Sequence, residues 1–257
     1  MSGRIGLIVQ ARMGSVRLPG KSLRPLAGEA LVGRVLERVK RAKRPDLVVL
    51  AIPDLPQDAP LHELGVRHGV PVFRGPDEDL VERYLLAAHA FGIDTIVRVP
   101  GDNPCPEPWV IDMTIDYHLL SENHFTSSYP DFLDNGFVDG IGCEVLDIHV
   151  LKQVRDLTVD ARNREHPHTF LYENPDRFHV MSPPCPLEIR RPDIVLDVNT
   201  EPQFALMARL YESLYCKNPM FDVHDVIRWW DLTHAEEAES GAAVTSVVST
   251  GIAPRRA

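Results

Sequence analysis

Two hydrophobic rhythms alternate along the first half of the chain. Residues 5–9, 47–52, 70–73 and 95–99 are short, nearly unbroken apolar runs, the pattern of strands buried on both faces of a parallel sheet. Between them the spacing becomes helical. Leu31, Val32, Val35, Leu36 and Val39 repeat at helical intervals over 30–42, as do Leu80, Val81, Tyr84, Leu85 and Ala88 over 77–91. Residues 59–68 and 108–121 also read as helices, and Pro53 and Pro100-Gly101 stop two of the strands. The alternation predicts an α/β fold, a mostly parallel doubly wound sheet with helices on both faces.

The second half is less regular. Residues 125–128 and 136–145 read as strands, 146–157 as a helix, 177–181 and 194–196 as further strands, and 200–215 and 223–231 as helices. There is no internal repeat and no linker. The pattern therefore predicts one domain over 1–234, with an irregular α+β insertion over about 124–192. From Ala235 the composition turns to Ala, Glu, Ser, Gly and Thr, which predicts a mobile tail over 235–257.

Composition narrows the class. At 44% hydrophobic and 25% charged, the 257 residues can bury a large core. The longest purely apolar run is six residues, so no membrane partner is expected, and Met1–Gln10 lacks the build of a secretory leader. Cys105, Cys143, Cys185 and Cys216 form no C-x-x-C pair, which points to reduced thiols in the cytoplasm rather than zinc or disulfides. The net charge of −10 is uneven: residues 1–44 carry eleven Lys or Arg and two acids, a net of +9. A basic end on an acidic protein suits a local anionic ligand and argues against nucleic acid. Arg34, Arg38, Lys40, Arg41, Lys43 and Arg44 read as a solvated helix face. Arg12, Arg17 and Lys21 differ, because they lie in a loop rich in Gly and Pro.

That loop, Gln10-Ala11-Arg12-Met13-Gly14-Ser15-Val16-Arg17-Leu18-Pro19-Gly20-Lys21-Ser22, follows the first strand and so sits at the sheet edge where open α/β folds bind ligands. Its backbone N–H groups and cations suit phosphate. It is not a P-loop: five residues separate Gly14 from Gly20 where that motif has four, and Pro19 removes a donor. The dinucleotide fingerprint G-x-G-x-x-G is also absent. An ordinary basic turn is the competing reading.

The segment from Ile8 to Lys21 resembles the opening of the nucleotidyltransferases grouped with spore-coat polysaccharide biosynthesis protein F, relatives of the acylneuraminate and KDO cytidylyltransferases. Phe73-Arg74-Gly75-Pro76-Asp77-Glu78-Asp79-Leu80 with Arg83-Tyr84, Val97-Arg98-Val99-Pro100-Gly101-Asp102-Asn103-Pro104, Arg164-Glu165-His166 and Leu196-Asp197-Val198-Asn199-Thr200-Glu201 match in order. Cys105 and Gly142-Cys143-Glu144-Val145 depart from the family pattern, the latter in the region expected to face the acceptor.

The resemblance implies a sheet like that of the nucleotide-diphospho-sugar transferases. It also implies transfer of a nucleoside monophosphate, CMP from CTP, to a sugar, sugar acid or phosphorylated or phosphonate small molecule, with release of pyrophosphate. Arg12, Lys21 and Asp102 are then catalytic. Gln10, Ala11, Arg12, Gly14, Ser15, Arg17, Lys21, Arg74, Gly75, Asp79 and Arg83 bind nucleotide, and Asn103, Glu144, Arg164 and His166 face the acceptor. Asp102 and Asp197 are the expected ligands of Mg²⁺, since a triphosphate needs a hard cation. Related enzymes are often homodimers. Read residue by residue, Asp102 also fits a turn or helix cap, Asp79 a helix N-terminus, and Arg164 and His166 a polar loop. A glycosyltransferase consuming a nucleotide sugar and a non-catalytic nucleotide-binding module are the competing functions.

Overall fold

The computed structural model describes residues 3–130 and 133–240. β1 (Ile5–Gln10) leads through the basic loop into a two-residue hairpin, β2 (Pro25–Leu26) and β3 (Glu29–Ala30), and then α1 (Leu31–Val39). β4 (Leu47–Pro53), α2 (Ala59–Arg67), β5 (Val72–Gly75), α3 (Leu80–Phe91), β6 (Thr95–Pro100) and α4 (Pro108–Leu120) follow in strict alternation. The second half supplies β7 (Phe125–Ser127), β8 (Glu144–Asp147), α5 (Ile148–Leu157), α6 (Ala161–Glu165), α7 (Pro167–Glu173) and β9 (Val180–Met181). Two helices, α8 (Glu201–Leu214) and α9 (Val223–Ser240), complete it.

Seven strands form one sheet in the order β5-β4-β1-β6-β8-β7-β9. β5, β4, β1 and β6 are parallel, while β8 runs antiparallel to both β6 and β7. From β1 the chain winds outward through β4 to β5, then returns to place β6 on the other side of β1. That reversal opens a crevice at the carboxyl ends of β1 and β6, where Gln10 stands opposite Pro100. Gly101 lets the two ends close: its N–H donates to the Gln10 carbonyl at 2.8 Å, and a Cβ there would lie 2.5 Å from that oxygen.

Side chains alternate across the strands and build two apolar layers. Leu7, Val9, Val97 and Val99 pack toward α1, α4, α8 and α9, and Ile8, Val49, Ala51 and Ile96 toward α3, α5 and α7. The segment expected as an irregular insertion gives three strands to this same sheet.

Several expectations need correction. Gly136 and Gly140 have φ of 83° and 91°, so no single strand runs over 136–145; pairing with β6 begins only at Glu144. Leu146 and Asp147 extend β8, which delays the following helix to Ile148. Residues 194–196 make a single bridge, Asp139 to Val195, and of 177–181 only Val180–Met181 is a strand. Arg34 and Arg38 are not on a solvated face. Arg34 bonds the Leu26 and Ala27 carbonyls and lies 3.8 Å over the Tyr215 ring. Arg38 bonds the Pro106 and Phe221 carbonyls and pairs with buried Glu107, tying α1 to the start of α9. Finally, α9 continues through Ser240, so residues 235–240 are helical rather than tail; Ala and Glu there are strong helix formers. The rest of the expected tail, 241–257, lies outside the described residues.

Candidate active site

The loop after β1 is folded by its own polar groups. Ser22 Oγ donates to the Arg12 carbonyl at 2.8 Å, the Leu18 N–H donates to Ser15 Oγ, and Gly20 turns the chain at φ 68°. Behind it stands Asp58, wholly buried, which accepts from the Met13 N–H at 2.7 Å. Burial raises the Asp58 pKa above its ordinary value, against the pull of that N–H. The sequence carried no signal for this support, because Pro56-Gln57-Asp58 reads only as the entry to α2.

Lys21 and Asp102 meet across the crevice. The Lys21 ammonium donates to Asp102 Oδ2 at 2.7 Å, to the Val198 carbonyl at 2.7 Å and to Asn199 Oδ1 at 3.0 Å, so all three of its hydrogens have partners. The Val198 N–H donates to the Asp102 carbonyl at 2.9 Å, which stitches the post-β6 turn to the segment before α8. Asp197 accepts from Asn199 Nδ2 and from Gln203 Nε2, the latter at 2.9 Å. These side-chain amides fix the orientation of the Asp197 carboxylate just before α8. Among the described residues no three or more His, Cys, Asp or Glu form a metal-binding group. A cation at Asp102 and Asp197 would therefore take its other ligands from substrate and water, the pattern hard divalent cations accept.

These elements enclose a cleft of about 290 Å³. Of the expected site residues, Gln10, Ala11, Arg12, Ser15, Arg17, Lys21, Arg83, Asp102 and His166 line it. Asp77, from the Gly75–Asp79 segment that the resemblance sets near the nucleotide base, lines it too, and Ser22, Gly101, Glu165 and Asn199 join them unanticipated as site residues. Arg83 also donates to the Pro76 and Asp77 carbonyls at 2.6 Å, shaping the cleft wall at the start of α3. From the insertion, Glu165 reaches Arg12 Nη2 at 2.8 Å. Burial lowers the His166 pKa below its ordinary value, helped by Arg98, so the ring is favoured in its neutral form.

Other expected residues lie behind the cleft lining. Gly14 faces Gln57, and Arg74 is exposed and paired with Asp54 at 2.8 Å. The Gly75 carbonyl accepts from the Asp54 N–H. Asp79 caps α3 through the Glu82 N–H and clamps the Arg164 guanidinium, Nε lying 2.9 Å from Oδ2, which ties α6 to α3. Asn103 is buried beyond Asp102, and Glu144 is buried against Arg98 at 2.5 Å. Arg164 and Glu144 thus engage protein charges rather than the open cleft.

The family model described as Cytidylyltransferase matches residues 7–220. An uncharacterized protein of Methanocaldococcus jannaschii is 30% identical over 224 residues, 87% of this chain and 89% of the relative. Spore coat polysaccharide biosynthesis protein SpsF of Bacillus subtilis is 30% identical over 211 residues, 80% of this chain and 85% of its own. The solved structure of a cytidylyltransferase from Leptospira borgpetersenii superposes with a TM-score of 0.84 at 28% identity, covering 91% of this chain and 96% of that one.

Proposed function

Because the chain belongs to the cytidylyltransferase family, we propose that it transfers the cytidylyl group of CTP to a nucleophilic oxygen of a sugar, sugar acid or phosphorylated or phosphonate acceptor. The acceptor oxygen forms a bond to the α-phosphorus, the bond from that phosphorus to the β-phosphate side breaks, and pyrophosphate leaves. A hydroxyl acceptor gives its proton to water. The single observation that carries the reading is the juxtaposition of Arg12, Arg17 and Lys21 with Asp102 in one cleft, at the point where the strand order reverses.

Little covalent chemistry falls to the protein in such a transfer; its task is alignment and charge stabilisation. Arg12 and Arg17, with guanidinium forks, bind phosphate oxygens, and Lys21 presents a point charge at the Asp102 end of the cleft. Asp102 and Asp197 would hold magnesium, which when bound neutralises triphosphate charge and polarises phosphoryl oxygens. Asp77 and Arg83 form the nucleoside side of the cleft, with Gly75 at the strand end behind them. His166 stands on the acceptor side, and Asn103 backs Asp102 from beneath. We also propose a cytoplasmic site of action, where nucleoside triphosphates are supplied, and a homodimeric enzyme.

The test measures pyrophosphate release with Mg²⁺ and each of CTP, GTP, UTP and ATP, against a panel of sugar phosphates, sugar acids and phosphonates. Acceptor-dependent release with CTP is expected. Release with none of the four nucleotides, across the whole panel, would overturn the proposal.

A further inference from the structure

A buried polar chain runs beneath the cleft floor, and the transfer described above makes no use of it. Arg98, in β6, is 7% exposed, and its Nη1 meets Glu144 of β8 at 2.5 Å. Its Nε donates to Gln10 Oε1 at 3.1 Å. From α3 the Tyr84 hydroxyl donates to the same oxygen at 2.5 Å. His168 of α7 closes the chain, with Nδ1 at 3.4 Å from both Arg98 Nη1 and Glu144 Oε1. Burial alone would lower the Arg98 pKa, but the charge and hydrogen bond of Glu144, together with Tyr84 and Tyr129, outweigh it and the guanidinium is held charged. Burial also raises the Tyr84 pKa, so the phenol stays a donor. Burying groups of this kind is costly unless they are paired, and here two of them converge on one atom of Gln10.

That convergence settles which way the Gln10 amide points. Arginine has donors and no acceptor, so the Gln10 atom facing Arg98 is the carbonyl oxygen. With two donors on that oxygen, the amide plane is locked. The other end, Nε2, meets no acceptor among the described residues, and Gln10 lines the cleft.

We propose that Tyr84 and Arg98, the latter braced by Glu144, are positioning residues that fix the Gln10 carboxamide so that its NH₂ group donates to an oxygen of the bound substrate. The inference rests on the nucleotidyltransferase reading above. A donor set in advance spends no free energy on reorganisation when substrate arrives, and it favours an oxygen over an amino group at that point. The oxygen belongs to the nucleotide or to the acceptor. Glu144, expected to touch the acceptor itself, acts in this account through Arg98.

Gln10→Glu is the sharpest perturbation, since one carboxylate oxygen keeps both donors while the other replaces the NH₂ with a charged acceptor. Wild type, Gln10→Glu, Tyr84→Phe and the double variant are compared in two arms. One titrates CTP with Mg²⁺ by calorimetry; the other measures KM for the acceptor that supports pyrophosphate release in the panel. Melting temperature is recorded for all four. Gln10→Glu should fold and weaken one arm on the order of tenfold or more, the size of one substrate hydrogen bond turned repulsive. The arm that moves tells which substrate carries the oxygen.

Tyr84→Phe should weaken the same arm by a smaller factor and have no further effect on that arm in the Gln10→Glu background, a coupling that a merely structural tyrosine would not give. Unchanged affinity and KM in a folded Gln10→Glu protein would overturn the proposal. Additive effects of the two substitutions would remove Tyr84 from the positioning role. A wild-type protein that neither binds CTP nor releases pyrophosphate from it would instead overturn the parent reading, and this inference would fall with it.

Discussion

Lys21→Met removes one ammonium while keeping most of the aliphatic stem, and the structure allows its effect to be sized. The Lys21 side chain is 12% exposed and its charge lies 2.7 Å from Asp102, itself 29% exposed. Coulomb attraction at that distance is ~1.5 kcal/mol in water and ~6 kcal/mol at an effective permittivity of ~20. Desolvation of the ammonium takes back a large part. The bonds to the Val198 carbonyl and Asn199 add to the pair, and water entering the open cleft replaces some of what is lost. The net is about 2 kcal/mol, or a fall in Tm of roughly 4–8 °C for a chain of this length.

Catalysis should suffer more than stability. Removing one preorganised cation or donor from a charged transition state costs ~10²–10³ in kcat. Thermal denaturation and CTP-dependent pyrophosphate release on the same preparation give both numbers. A folded Lys21→Met protein with kcat within about threefold of wild type would refute the assignment of Lys21 to the transferring phosphates. A large loss of stability with unchanged kcat would make Lys21 only the fastener between Asp102 and the Val198–Asn199 segment.

Three further outcomes are expected. Gly101→Ala puts a Cβ 2.5 Å from the Gln10 carbonyl and 3.1 Å from Ala11 Cβ, so the strand ends must part, at ~1–3 kcal/mol in urea unfolding; a neutral substitution would contradict the close approach. Arg38→Ala strands Glu107 in the core and should cost ~3–5 kcal/mol, whereas Arg38→Met combined with Glu107→Gln should recover much of it; equal losses would show that the charge pairing is unimportant. Burial and Arg98 hold the His168 pKa well below its ordinary 6.5, so the unfolded chain takes up the proton first. Stability contributed by the neutral ring is therefore present above pH 6.5 and falls as pH drops below it, by up to ~1.4 kcal/mol per unit. His168→Gln should flatten that slope between pH 6.5 and 5, and an unchanged slope would place its origin elsewhere.

The first half of the fold was legible because its strands are buried on both faces and its helices on one, so the two hydrophobic periods separate cleanly. Where the sheet turns antiparallel, the signal fails. Gly136 and Gly140 break an apolar stretch that reads as a strand, and Leu146-Asp147 pair with Ile96 and Thr95 although they resemble a helix start. The basic loop was legible from its composition and place after β1. Tertiary partners were not. Arg34 and Arg38 read as surface because the carbonyls and rings that receive them come from distant parts of the chain, including residues 106, 215 and 221. Asp58 and Glu144 likewise acquire their surroundings only when α2 meets the loop and β8 meets β6. Arg164 illustrates the same limit, since its bidentate hold on Asp79 spans 85 residues of sequence.

The central claim, attack at the α-phosphorus, is tested most directly by following label from CTP in an acceptor-containing reaction with Mg²⁺. With α-labelled CTP the label should appear in an acceptor conjugate, and with γ-labelled CTP it should appear in pyrophosphate. Label from the γ-position in the acceptor product, or no transfer of α-label to any acceptor in the panel, would contradict the account.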